Sequence, residues 1–256
     1  MSNTIILVTG GTSGIGKSVA IEFAKSGHSV IICGTNPNGN LIAEEISKVY
    51  GSCTFFRTDV SNFSEVEQLF HCIEEQYGQL DCLCCAAGTD RGIGVPTASI
   101  AAEDFDAHLD INLKGTWHCM KLAIPMMLRQ SRGAIVNISS INGLGGTVGA
   151  AAYSASKHAV IGLSKSAALE YAHEGIRINV VCPGMTDTPM LRRVFSNLSP
   201  DDPSAVESHF ANSIPVKRIG TAEEIAATVY TLCSDSSSFI TGQCMVVDGG
   251  LSAQFR

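Results

Sequence analysis

Short apolar runs rich in β-branched residues alternate along the chain with longer stretches whose apolar positions recur at helical spacing. The runs Ile5 to Val8, Ser29 to Cys33, Thr54 to Phe56, Leu80 to Cys85, Ala134 to Ile138, Arg177 to Cys182 and Cys244 to Val247 predict seven strands. Between them, Lys17 to Ser26, Leu41 to Val49, Glu65 to Tyr77, Phe105 to Arg129, Ala155 to His173 and Ala222 to Ser234 predict helices. Continuous apolar strands in strict alternation with helices require a parallel sheet covered on both faces. The expected fold is therefore α/β, one domain over 1–256, doubly wound, with about seven parallel strands. The stretch Thr186 to Thr221 breaks the alternation after the sixth strand. It is polar, carries four of the eight prolines, and predicts a lid over about 186–221. No internal repeat or linker divides the chain.

Composition narrows the function classes. Hydrophobic residues make up 45% and charged residues 16% of the 256, enough for an ample core without disulfides. A net charge of -7 supplies no global field for a polyanion, so nucleic acid is not an expected partner. The first nine residues lack a basic n-region, and no apolar run approaches the ~18 residues a membrane span needs. A cytoplasmic protein with no membrane partner is expected. Most of the ten cysteines lie in apolar strand-like runs, where Cys serves as a small buried hydrophobe. Cys82 and Cys85 form a nominal C-x-x-C, but on a strand they point to opposite faces and cannot grip one metal. The seven histidines show no ligand spacing, so no metal site is expected.

The chemistry-bearing residues cluster in three places. The first strand runs into Thr9-Gly10-Gly11-Thr12-Ser13-Gly14-Ile15-Gly16 and then a helix. In that context Gly10 permits a tight turn, Gly14 allows backbone to approach a pyrophosphate, and Gly16 lets helix and strand pack closely, with the helix N-terminus favouring the anion. Further on, Tyr153 and Lys157 stand at i and i+4 on one helix face, where an ammonium and a cationic nicotinamide would both favour the phenolate. The fifth strand ends in Ser139-Ser140, which puts a hydroxyl at the carboxyl edge of the sheet, beside the crevice where such folds bind ligands.

Together these residues resemble the short-chain dehydrogenase/reductase family, along essentially the whole chain and in the family's order. The resemblance implies a single-domain Rossmann-type fold and an NAD(P)-dependent oxidoreductase that moves a hydride between nicotinamide and a secondary alcohol or ketone. It implies a catalytic set of Asn112, Ser140, Tyr153 and Lys157. Tyr153 would be the general acid/base, Ser140 would orient the substrate oxygen, Lys157 would bind the nicotinamide ribose and lower the Tyr153 pKa, and Asn112 would hold a relay water. Gly10, Thr12, Ser13, Gly14, Ile15 and Gly16 match the family's T-G-x-x-x-G-x-G. Asp59-Val60 resemble its adenine contact, and Pro183-Gly184 with Thr186 and Thr188 resemble the segment around the carboxamide. Cys85-Ala86-Ala87-Gly88 departs from the family's N-N-A-G, which removes two bracing amides, while Ala87 and Gly88 still leave room for the cofactor ribose.

Cofactor choice is read at Cys33-Gly34-Thr35-Asn36. No Asp stands there to hold a ribose diol and no Arg or Lys to pair with a 2′-phosphate, yet the neutral Gly34-Thr35 pair, followed by Asn36, resembles a Gly-Thr pair found at this position in some NADP-dependent relatives, so NADP is favoured over NAD. The expected partner is a small alcohol or carbonyl compound. A 3-oxoacyl carrier-protein reductase is the nearest alternative. The net charge, with Glu170 and Glu174, argues against an acidic carrier, while Arg129 and Arg132 could form a small basic patch. A non-catalytic dinucleotide sensor is a further reading, though it has no use for all four catalytic residues. Pocket candidates are Ile141, Asn142, Val148, Gly149 and Met185, with Met190, Leu191, Val194 and Phe195 from the lid. Leu109, Leu113, Trp117, Met120, Ala159, Gly162 and Ala167 on two long helices, and the chain end after Gly250, predict a homotetramer.

Overall fold

The computed structural model describes residues 4–254, so the 1–256 bounds expected for the domain reach past the described chain at both ends. Its strands follow the apolar runs. β1 (Ile5–Thr9), β2 (Ser29–Gly34), β3 (Cys53–Arg57), β4 (Cys82–Cys85), β5 (Gly133–Ile138), β6 (Ile176–Pro183) and β9 (Cys244–Val247) form one parallel sheet in the order β3-β2-β1-β4-β5-β6-β9. Ile6, Leu7, Val8, Ile31 and Ile32 are fully buried, because central parallel strands are covered on both faces. Each such side chain contributes roughly 1.5–3 kcal/mol by leaving water.

Two apolar layers sandwich the sheet. On one face lie α1 (Gly14–Lys25), α2 (Gly39–Val49) and α9 (Ala222–Cys233), contributing Val19, Phe23, Ile46, Ile225 and Val229. On the other lie α3 (Phe63–Tyr77), α5 (Gly115–Gln130) and α6 (Ala151–Tyr171), contributing Leu69, Phe70, Cys119, Met127 and Ala168. Cys82 belongs to the first layer and Cys85 to the second, on opposite faces of β4. The strand order reverses between β1 and β4, which opens a crevice at their carboxyl ends.

One helix differs from the sequence expectation. The helix expected over Phe105 to Arg129 is interrupted. A short α4 (Ala102–Ala107) leads into a π-helical segment, His108–Lys114, and only then into α5. The wider turn falls where Gly115 packs against Val60, so closely that a Cβ on Gly115 would lie 2.6 Å from Val60 Cγ2. Such π segments recur at functional sites.

The segment expected as a lid, 186–221, is a folded excursion. It leaves through β7 (Thr186–Asp187) and returns through β8 (Gly220–Thr221), which pair with each other. Between them run α7 (Pro189–Leu198) and α8 (Pro203–Ser213). Each begins with a proline just inside a capping residue. Thr188 Oγ1 accepts the Leu191 N–H at 3.2 Å, and Asp202 Oδ1 accepts that of Ala205 at 3.0 Å. Phe195 and Phe210 stack at 5.6 Å between centroids and join the two helices.

Candidate active site

The glycine turn between β1 and α1 is shaped by close backbone contact. A Cβ on Gly16 would lie 2.4 Å from Gly10 O, and Gly10, at φ 66°, would press one onto Ala87 N at 2.9 Å. The first turn of α1 carries no acidic residue, and Ser13 at its N-cap makes no side-chain cap. Its leading N–H groups and positive dipole end therefore face the crevice unopposed, as an anionic pyrophosphate requires. Thr12 lies beside Gly34, where a Cβ would meet only Thr12 Oγ1, at 3.7 Å. Gly14 approaches Thr188, its Cβ position being 3.3 Å from Thr188 Cγ2, so the cradle touches the base of the lid. Ile15 packs partly buried beneath the turn.

The four residues expected to carry catalysis meet at the carboxyl ends of β4 and β5. Lys157 Nζ donates to Ile138 O at 2.9 Å and Ser139 Oγ donates to Lys157 O at 2.9 Å, stitching β5 to α6 in both directions. The Lys157 ammonium lies over the Tyr153 ring, 5.6 Å from its centroid. Ser140 Oγ accepts the Asn142 N–H at 3.1 Å, which fixes the hydroxyl beside the phenol. Burial pushes the Tyr153 phenol up to about 12; a hydrogen bond with Ser140 opposes the rise and the charge of Asp90 adds to it. Desolvation of the phenolate is the largest of these contributions. Burial brings Lys157 itself down to about 8. The arrangement holds a protonated phenol beside a hydroxyl and an amine, which suits proton donation to an oxygen placed between Tyr153 and Ser140.

Asn112, 1% exposed, sits in the π segment with its amide fully engaged. Its Oδ1 accepts the Thr89 N–H at 2.8 Å, while Nδ2 donates to Ser156 Oγ at 3.0 Å and to His108 Nδ1 at 3.2 Å. Cys85 and Ala86 supply no amide here. Instead Thr9 Oγ1 accepts the N–H groups of Ala86 and Ala87, both at 3.1 Å, and Cys85 is buried against Cys119. Gly88 lies between two catalytic candidates, its Cβ position 3.3 Å from Asn112 Oδ1 and 3.8 Å from Lys157 Nζ.

Other expected contacts turn partly inward. Asn36 Oδ1 accepts the Asn38 N–H at 2.9 Å, and Asp59 Oδ1 accepts both the N–H and the hydroxyl of Ser61, so these side chains first serve their own turns. Val60 is buried, and its carbonyl bonds His118 Nδ1 at 2.8 Å. Pro183 ends β6. Gly184 packs so closely on Asp248 that a Cβ would meet it at 2.6 Å, and Thr186 Oγ1 donates to Gly184 O at 3.2 Å. Of the pocket candidates, Val148 is fully exposed on the rim, Asn142 accepts from Thr147, and Phe195 is buried within the lid.

Sequence reasoning missed two contributors. His108 lies four residues before Asn112, a spacing that could have flagged it. Arg57 has no local signal: strand register sets it opposite Gly34, and Thr58 N–H donates to Gly34 O at 3.1 Å. It is exposed and, among the described residues, has no hydrogen-bond or ion-pair partner. Among the described residues no group of three His, Cys, Asp or Glu could hold a metal, and no helix is long and apolar enough to cross a membrane.

Known proteins are similar to this chain along nearly its whole length. The profile of the family described as enoyl-(acyl carrier protein) reductase matches residues 10–252. Oxidoreductase UcpA of Salmonella typhimurium is 37% identical over 245 residues, covering 95% of this chain and 92% of the relative. The 3-oxoacyl-[acyl-carrier-protein] reductase FabG of Thermotoga maritima is 34% identical over 253 residues, 98% of each. The solved structure of ElxO with NADP bound superposes with a TM-score of 0.90 at 35% identity, covering 98% of this chain and 100% of that one.

Proposed function

The chain belongs to the short-chain dehydrogenase/reductase family, and from that premise we propose how its own residues perform the NAD(P)-dependent interconversion of a secondary alcohol and a ketone. The observation that carries the reading is the meeting of Ser140, Tyr153, Lys157 and Asn112 at the mouth of a glycine cradle. Tyr153 gives its phenolic proton to the carbonyl oxygen in reduction and takes the hydroxyl proton in oxidation. Ser140 orients that oxygen. Lys157 reaches the nicotinamide ribose, and Asn112 holds a relay water. The bound dinucleotide supplies the hydride.

NADP is the favoured cofactor, as in the ElxO complex. Gly10, Thr12, Ser13, Gly14, Ile15 and Gly16 cradle the pyrophosphate, Thr35 and Asn36 flank the adenosine ribose, Asp59 and Val60 border the adenine, and Ala87 and Gly88 give room to the second ribose. Pro183, Gly184, Thr186 and Thr188 enclose the carboxamide. Arg57 supplies the positive charge for the 2′-phosphate, from the strand beside Gly34 rather than from Thr35. Segment 186–221 acts as the substrate lid.

The carrier-protein reading loses its basic patch. Arg129 pairs with Glu74 and Arg132 with Asp81, and both flank the amino end of β5, opposite the site. A small cytoplasmic alcohol or carbonyl compound is the substrate proposed. Exposed Trp117 on α5 and Leu169 and Gly162 on α6 support a homotetramer, whereas Met120 and Ala167 belong to the core. Light scattering decides this: a 26.9 kDa species would be the monomer and would overturn it.

The function is tested with Tyr153→Phe. Turnover of ketones with NADPH disappears while dinucleotide binding, measured by calorimetry, persists. Substantial residual turnover would overturn the role of Tyr153, and a pure sensor would show no turnover in the wild type either.

A further inference from the structure

The amide of Asn112 is held from two sides by one short loop. Thr89 N–H donates to Asn112 Oδ1 at 2.8 Å. Two residues on, Arg91 O faces His108 Nε2 at 2.6 Å. A carbonyl can only accept, so the proton of His108 is on Nε2, and Nδ1 is left as the acceptor for Asn112 Nδ2–H. His108 is 1% exposed, and its ring meets that of Tyr153 edge-on, with centroids 5.8 Å apart. The loop 89–91 thereby sets both the orientation of Asn112 and the ring that packs against Tyr153.

Asp90, the residue between these two backbone groups, faces the lid. Its carboxylate takes two bonds from Arg193 Nη2 on α7, at 3.1 and 3.2 Å, across 103 positions of sequence. The Asp90 side chain is mostly covered, at 17% exposure, and Arg193 is 57% exposed. Among the described residues, no other side-chain hydrogen bond from α7 leaves the lid. Arg192 bonds Asp187, Ser196 bonds Arg192 O, and Thr188 caps the helix.

We propose that Asp90 and Arg193 are positioning residues that couple docking of the lid helix to the placement of Asn112 and His108 around Tyr153. When α7 lies down, Arg193 anchors Asp90, and the backbone on either side of Asp90 is held where its N–H and C=O complete the two braces. With α7 lifted, the loop loses its anchor and both braces loosen together. A substrate that draws the lid closed therefore completes the site that will act on it. An exposed ion pair by itself contributes little to stability, so its effect appears in catalysis rather than in the melting temperature.

The inference rests on the Tyr153-centred reading, and the test separates the two. Arg193→Ala, Asp90→Ala and the double variant are compared with wild type for kcat, KM, NADPH affinity by calorimetry and thermal midpoint. The expected result is a fall of roughly threefold to tenfold in kcat with a raised KM in each single variant, no further loss in the double, and partial recovery in Arg193→Lys. NADPH affinity and the midpoint of Arg193→Ala stay at wild-type values. If the single losses multiply in the double variant, or if Arg193→Ala keeps both kcat and KM within about twofold of wild type, the coupling is overturned. If Tyr153→Phe also stays active, the catalytic reading has failed; if it is dead, only the coupling has.

Discussion

The glycine cradle and the catalytic corner lie at the same sheet edge but are built differently. The cradle is mostly backbone: Gly10 and Gly16 leave no room for a Cβ, and N–H groups at the start of α1 are left for an anion. All of it comes from eight consecutive residues. The corner is built of side chains drawn from positions 89 to 193, and several of its holding contacts come from groups remote in sequence, such as Ser156 on Asn112 or Ile138 O on Lys157. Backbone cradles bind one ligand class with little dependence on side-chain identity. A side-chain corner can be tuned one residue at a time, and it fails one residue at a time.

Substitutions on the two sides sharpen that contrast. The largest effect belongs to Tyr153→Phe, with kcat reduced by about 10² to 10⁴ and dinucleotide binding within a few fold, read by steady-state turnover and calorimetry. Gly16→Ala does the reverse. Its Cβ would meet the carbonyl oxygen of Gly10, so dinucleotide affinity falls at least about tenfold and overpacking costs about 1–3 kcal/mol, read as a lower melting temperature. Arg57→Ala comes next. NADPH affinity weakens about tenfold and NADH affinity is unchanged, because a charge-assisted bond to the 2′-phosphate is lost; equal changes for both would remove Arg57 from the site.

The smallest effect is one of pH. Burial brings Lys157 down to about 8, so its ammonium is present below that value and lost as pH rises through it. Dinucleotide binding is therefore expected to weaken as pH rises through about 8, and Lys157→Ala removes this dependence. Stability moves the other way. A lysine with a depressed folded-state pKa costs folding energy while the unfolded chain is protonated, so this residue's contribution improves from about pH 8 toward its ordinary value near 10.4. Binding that is flat between pH 7 and 9.5 would show the ammonium is not part of the site.

Features that depend on neighbours in the chain can be read without the fold. Strand runs, the glycine turn and the Tyr153–Lys157 helix pair are local patterns with fixed periods, and they were legible. The α7 and α8 starts, Thr188-Pro189 and Asp202-Pro203, are also local signals, although the apolar pattern predicts no helix there. Tertiary structure decided the rest. Arg57 stands beside Gly34 only because β2 and β3 pair in one register, and Asp90 meets Arg193 only because the lid folds back over 103 residues. The direction of the Tyr153 shift was equally hidden. A charged neighbour can be read from spacing, but the desolvation that raises the phenol depends on everything packed around it, and no window of sequence contains that.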